Sequence, residues 1–170
     1  MVRLNEAARL GVGYRAATDD DLPFLALVYA LTRVDEVAAT GWPPEVQRDF
    51  LLQQFHAQHQ HYRQHYLDAE WLVIERGDKP IGRLYLEEWA DQLRLIDIAL
   101  LPDARGGGVG SAILTDLMEQ ASAAGKPLTI HVEKNNPAMG LYLRLGFVAT
   151  DEHGVYDLME WRPADRRPGA

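Results

Sequence analysis

Ala99-Leu100-Leu101-Pro102-Asp103-Ala104-Arg105-Gly106-Gly107-Gly108-Val109-Gly110-Ser111 decides the reading of this chain. An alternating apolar strand runs into it and a helix-period pattern leaves it, so its amides stand at a helix N-terminus. Glycine lets a backbone approach a ligand closely, and a helix start favours an anion by about 0.3–1 kcal/mol. Converging amides with Arg105 beside them suit a diphosphate. Two other phosphate motifs are excluded. A dinucleotide fingerprint on Gly106 and Gly108 requires Gly or Ala at 111, where Ser111 stands. The nucleotide P-loop requires Gly-Lys followed by Ser or Thr, and Gly125-Lys126 precedes Pro127.

Outward from that turn, 93–101 reads as a strand that closes an antiparallel meander with 71–74 and 80–89. Upstream, 12–16 is a short strand, and Thr18-Asp19-Asp20-Asp21 is a helix start with a capping hydroxyl and an acidic first turn. Leu22, Leu25, Val28, Tyr29 and Thr32 fall on one helical stripe, while 33–36 reads as a loop. Gly41-Trp42-Pro43-Pro44 breaks the chain before a longer helix to about Tyr66, whose apolar face is Val46, Phe50, Leu51, Phe55, Tyr62 and Tyr66. Downstream, the helix opened by the glycines turns Ile113, Leu114, Leu117, Met118 and Ala121 inward and stops at Gly125. Leu128, Ile130 and Val132 alternate as a strand, Asn136-Pro137 caps a helix over 137–145, and 147–150 and 155–161 close the chain as strands. The order βααβββαβαββ is an α+β arrangement of helices on a mixed sheet.

The 170 residues are 47% hydrophobic and 25% charged, which is globular and fits one domain, 1–170, with its core at 12–161 and loose ends at 1–11 and 162–170. No Cys is present, which removes disulfides, thiolate metal sites and a cysteine acyl-enzyme. The formal charge of −8 argues against a nucleic-acid partner and favours cationic ones. No apolar run approaches the roughly 18 residues of a membrane span, and the first residues lack the apolar core of a signal peptide, so a cytoplasmic location away from membranes is expected. His61 and His65 are one helical turn apart, but no third ligand accompanies them, and no metal is expected.

Arg105-x-x-Gly108-x-Gly110 and Asn136-Pro137-Ala138-x-x-Leu141-Tyr142-x-x-Leu145-Gly146-Phe147 together resemble the GNAT superfamily of acyl-CoA N-acyltransferases over roughly 12–161. The resemblance implies three layers, α/β/α, around a mostly antiparallel seven-stranded sheet splayed between strands 4 and 5. It also implies acetyl-CoA as co-substrate, in that splay. The diphosphate would lie on the amides of Arg105, Gly106, Gly107, Gly108, Val109, Gly110 and Ser111. The pantetheine would pair with the backbone of Ile98, Ala99 and Leu100, and Asn136 would reach its amides, although Asn136 also reads as a plain helix cap. The resemblance further implies acetyl transfer to a primary amine of a small molecule or peptide, and a homodimer paired through the late strands. A non-catalytic acyl-CoA sensor on the same fold is the alternative.

By the same resemblance Tyr142 is the general acid toward the departing thiolate. The position of the family's strand-four glutamate holds Arg94, so the base is sought elsewhere. Asp97, a carboxylate within an apolar strand, and Glu133, at the end of the next strand, are the candidates, with His131 third. Each also has a structural reading: Asp97 paired to Arg94 or Arg83, Glu133 a solvated strand end. Asp35, Glu36, Trp42 and Tyr62 are candidate acceptor contacts, against which Trp42, Trp71 and Trp89 read as core packing.

Overall fold

Seven strands, β1 (Val12–Ala16), β2 (Glu70–Arg76), β3 (Lys79–Glu88), β4 (Leu93–Leu100), β5 (Leu128–Glu133), β6 (Val148–His153) and β7 (Tyr156–Trp161), join in one sheet in the order β1-β2-β3-β4-β5-β7-β6. The computed structural model describes residues 5–164. Every neighbouring pair is antiparallel except β4–β5. The helices are α1 (Glu6–Arg9), α2 (Leu22–Leu31), α3 (Val34–Ala38), α4 (Pro44–His65), α5 (Val109–Ala124) and α6 (Met139–Arg144). Two apolar clusters fill the two faces of the sheet. Ile113, Leu114 and Leu117 of α5 pack with Leu84, Leu95, Ile130 and Met159 in one, and Leu25 and Tyr29 of α2, Phe55 of α4 and Tyr85 of β3 form the other. The α+β, three-layer arrangement is as the sequence led us to expect. No helix among the described residues is long and apolar enough to cross a membrane.

The splay is short-rooted. Parallel pairing between β4 and β5 is confined to Leu93 with Leu128 and Arg94 with Thr129, after which the strands diverge. On its other side β4 stays paired to β3 as far as Gly82 with Leu100, through a bulge that sets Asp97 opposite Tyr85. Gly82 is required there: a Cβ would stand 2.3 Å from the Ala99 carbonyl oxygen. Arg94 sits at the root of the splay, its Nε donating to Thr129 Oγ1 at 2.9 Å and its guanidinium lying 4.6 Å from the Trp89 ring.

The structure corrects the sequence reading at several points. Residues 5–10 of the N-terminal stretch are anchored, not loose, and 1–4 lie outside the described residues. Ala7 of α1 is fully buried, and the amides of Glu6 and Ala7 donate to the buried carboxylate of Asp116 at 2.8 and 3.0 Å. That explains an acidic residue on the inward side of α5, since a buried carboxylate needs donors. At the tail, Arg162 pairs with Glu160 at 3.2 Å, whereas 165–170 lie outside the described residues. Thr18 and Asp21 form the expected capping box around a 3₁₀ turn, and α2 follows it with Pro23 in its first turn, where a missing N–H costs nothing. Residues 33–36 are not a loop, because Val34 already opens α3. Only part of the α4 stripe is inward: Phe55 is 1% exposed, but Val46 and Phe50 are 46% and 37% exposed. Near the start of α4, Phe50 packs edge-on against the exposed Trp42 at 5.3 Å, while Leu51 reaches the cluster around Tyr85.

Candidate active site

The glycine turn meets β4 where the strand leaves the sheet. Leu101–Ala104 close a short turn, and Gly108, at φ +84°, starts α5 in a conformation that costs any L side chain about 1–2 kcal/mol. The first helical bond of α5 runs from the Ala112 amide to the Gly108 carbonyl, so the amides of residues 106–111 have no acceptor among the described residues. A Cβ at Gly106, Gly107 or Gly108 would meet nothing within 4 Å, which leaves the space over these amides open. Arg105 is exposed and leans back, its Nε donating to the Leu100 carbonyl at 3.0 Å. Val109 turns its side chain into the core, so only its amide faces the turn. Ile98, Ala99 and Leu100 lie half-buried on the diverging edge of β4, with no β5 partner. Asn136 is exposed and its Oδ1 accepts from the Ala138 amide at 2.8 Å, a turn ahead of α6 and not the expected helix cap, since α6 begins at Met139 with Ala138 as its N-cap.

Tyr142 and Asp97 flank the gap. Tyr142 is buried on α6, edge-on to Phe147 at 5.4 Å; burial, then the charge of Asp97, raises its pKa. Asp97 does not pair with Arg94. Its Oδ2 accepts from Arg83 at 2.6 Å, and that guanidinium also donates to Gln58 Oε1 at 2.9 Å. Arg83 is buried between the rings of Tyr29 and Tyr85, at 5.9 and 5.2 Å. Burial opposes its charge, and Asp97 outweighs that, so its pKa is raised. Tyr62 closes this chamber from α4, its pKa raised first by burial and then by Asp97.

Glu133 is not a solvated strand end. Its Oε1 accepts from Arg33 at 2.9 Å and from the Tyr156 hydroxyl at 3.3 Å. His131, the third candidate base, is engaged by its neighbour Arg94. Arg94 approaches its Nδ1 at 3.2 Å, and since arginine only donates, that nitrogen supplies the lone pair and the ring proton is assigned to Nε2. Burial and then the Arg94 charge lower the His131 pKa accordingly. Among the described residues no group of three or more side chains that could hold a metal ion occurs, and in α4 His65 Nδ1 lies 2.9 Å from the His61 carbonyl.

The profile of the Acetyltransferase (GNAT) family matches residues 31–147. The chain belongs to this family. Peptidyl-lysine N-acetyltransferase YjaB of Escherichia coli is 35% identical over 89 residues, 52% of this chain and 55% of that one. Mycothiol acetyltransferase of Corynebacterium glutamicum is 28% identical over 95 residues, 54% of this chain and 32% of that one. The match thus spans about half the length of the first of these curated relatives and a third of the second. Among solved structures, the PaiA N-acetyltransferase of Thermoplasma acidophilum in complex with coenzyme A superposes with a TM-score of 0.66 at 19% identity, covering 89% of this chain and 98% of that one, a likeness of fold.

In this GNAT member the residue that sequence reasoning missed is Arg33, which stands far from the two motifs, whereas Arg83 was one of the two partners weighed for Asp97. A usable signal for Arg83 was its place inside an apolar strand, directly beside the sterically required Gly82.

Proposed function

We propose that the protein is an acetyl-CoA-dependent N-acetyltransferase that transfers acetyl directly to a primary amine. The observation that carries this is the run of unsatisfied amides at 106–111, open to solvent at the N-terminus of a sixteen-residue helix and next to the unpaired edge of β4. Those amides with Arg105 would hold the diphosphate, and the free edge at Ile98–Leu100 offers backbone groups to the pantetheine. Bound there, acetyl-CoA supplies a thioester: the amine nitrogen bonds to its carbonyl carbon, the C–S bond breaks, and sulfur leaves with the electron pair.

The chain's own groups handle the protons. A tyrosine of ordinary pKa near 10 gives its proton to a thiolate of about 8.5 at a cost of roughly 2 kcal/mol, and burial widens that gap. Tyr142 is therefore protonated at working pH and acts by donating a hydrogen bond to the sulfur as its charge develops. The proton shed by nitrogen goes to Asp97 or to water beside it. Asp97 engages Arg83 through Oδ2, so Oδ1 is the oxygen that serves as base. An amine of pKa about 10.4 costs about 4.6 kcal/mol to deprotonate at pH 7, so acceptors of lower pKa are favoured. The reading keeps the enzyme in the cytoplasm. A lysine side chain, the acceptor class in the name of the Escherichia coli relative, is the peptide alternative to a small molecule.

Thiol release from acetyl-CoA over a panel of amines, amino acids and lysine peptides tests the reading. Turnover with any amine, reduced on the order of 10²-fold in Tyr142→Phe with coenzyme A affinity intact, supports it. Tight coenzyme A binding without turnover on any acceptor overturns it in favour of a sensor.

A further inference from the structure

Two arginine–carboxylate pairs in this chain are built differently. Asp21 takes both forks of Arg15, Oδ2 from Nη1 and Oδ1 from Nη2, each at 2.8 Å. A planar guanidinium favours that arrangement, because two parallel bonds hold it in one plane with the carboxylate. Asp97 takes a single bond from Arg83, at Oδ2, although this arginine is only 2% exposed. Low dielectric strengthens such a pair, so the fork is the more strongly favoured here. Its absence leaves a mark. Arg83 Nε is buried without a hydrogen-bond partner, although a fork through Nε and Nη2 would satisfy it on Oδ1.

Gln58 holds the other side of Nη2. That nitrogen carries two protons, and its second bond goes to Gln58 Oε1 at 2.9 Å. Gln58 lies on α4 three residues after Phe55 and four before Tyr62, on the stripe that packs into the cluster of Leu25, Tyr29 and Tyr85. Phe55, 1% exposed, anchors the helix there, so the acceptor oxygen reaches Arg83 from a fixed element. The two bonds at Nη2 set how the guanidinium is turned between the rings of Tyr29 and Tyr85, at 5.9 and 5.2 Å.

We propose, resting on the reading of Asp97 as the base, that Gln58 is a positioning residue: by holding Nη2 it keeps the Arg83–Asp97 pair single-armed, and so keeps Asp97 Oδ1 free for the proton of the amine. An oxygen that already accepts a charge-assisted bond from a guanidinium is a weaker base, and its lone pair is spent. Without Gln58 the guanidinium turns, Nε reaches Oδ1, and the fork closes. The carboxylate is then better stabilised as an ion and lost as a proton acceptor. Gln58 carries no proton itself; it acts through Arg83.

Gln58→Met removes the acceptor oxygen and keeps the length of the side chain. In the full-length protein it is expected to lower kcat roughly tenfold in thiol release with the fastest amine of the panel above. KM for acetyl-CoA and Tm should hold, because the closed fork replaces the lost bond. Gln58→Glu, which keeps an oxygen at the same reach, should restore most of kcat. A crystal structure of Gln58→Met should show Arg83 Nε within about 3.2 Å of Asp97 Oδ1. Unchanged kcat in Gln58→Met, a fall in Tm alongside kcat, or a pair that stays single-armed in the crystal each overturns the proposal. Asp97→Asn separates it from the reading beneath it. Full kcat in Asp97→Asn would sink the base assignment, while the crystal of Gln58→Met still decides whether Gln58 holds the pair open. Loss of kcat in Asp97→Asn with none in Gln58→Met would do the reverse.

Discussion

The two sides of the splayed sheet are built from different materials. On the side of the glycine turn the groups on offer are backbone: the amides of 106–111, which have no acceptor among the described residues, and the edge of β4 at Ile98–Leu100, where only the Leu100 carbonyl is taken by a side chain, that of Arg105. On the side of α2, α4 and the β6–β7 hairpin the groups are side chains, and the charged ones are already paired: Asp97 with Arg83, Glu133 with Arg33, Lys134 with Glu152. A site made of amides can wait unsatisfied because water solvates them at little cost. Buried charges cannot wait, since each one left alone costs several kcal/mol. The constant half of the reaction is therefore met by an open surface, and the variable half by a set of ion pairs already made.

That contrast can be broken first at its most buried pair. Arg83→Met leaves the Asp97 carboxylate without its partner in the interior and should cost about 3–5 kcal/mol of stability, read as a fall in Tm, with Arg83→Met/Asp97→Leu recovering most of it. An unchanged Tm in the single variant would show the pair to be solvated and the contrast wrong. Next in size, Tyr142→Phe should lower kcat on the order of 10²-fold, about 2.7 kcal/mol, with KM for acetyl-CoA unchanged. On the backbone side, Gly108→Val forces a β-branched residue to φ +84° without any clash, because no atom lies within 4 Å of its Cβ. The strain of about 1–2 kcal/mol should appear as a roughly tenfold loss of coenzyme A affinity in a calorimetric titration.

The smallest effect concerns the roof of the acceptor side. Asp21 receives both forks of Arg15 at 2.8 Å, which holds its pKa down at about 2 from an ordinary 3.8. A depressed carboxylate contributes its stability above the unfolded pKa and loses it as pH falls through the folded one. The loss should fall between about pH 4 and pH 2. Because Arg15 is 39% exposed, the contribution is on the order of 1 kcal/mol or less. Asp21→Asn should flatten that part of a Tm-against-pH curve.

What was legible in the chain follows the same division. The meander, the glycine turn and the helix it opens were readable because each depends on residues within a few positions of one another: alternation, 3.6-residue spacing, and a left-handed φ at Gly108. The chamber behind Asp97 was readable only as a choice between Arg94 and Arg83. The bulge opposite Tyr85 decided it, by turning Asp97 toward Arg83 while Arg94 was drawn to Thr129. Arg33 was passed over inside a presumed loop, because its partner Glu133 lies 100 residues away. Val46 and Phe50 carried the correct helical period and still came out exposed, since periodicity marks a face without saying that anything stands opposite it.

By itself, then, the order of amino acids determined the elements, the phosphate-ready turn and the family, because propensity, periodicity and backbone handedness act over short stretches of chain. The tertiary structure alone decided how far the parallel strands stay paired, which arginine neutralises which carboxylate, and where a cleft opens. Those are contacts between segments that only the completed sheet brings within a few ångströms, where Coulomb attraction and desolvation become strong enough to choose partners.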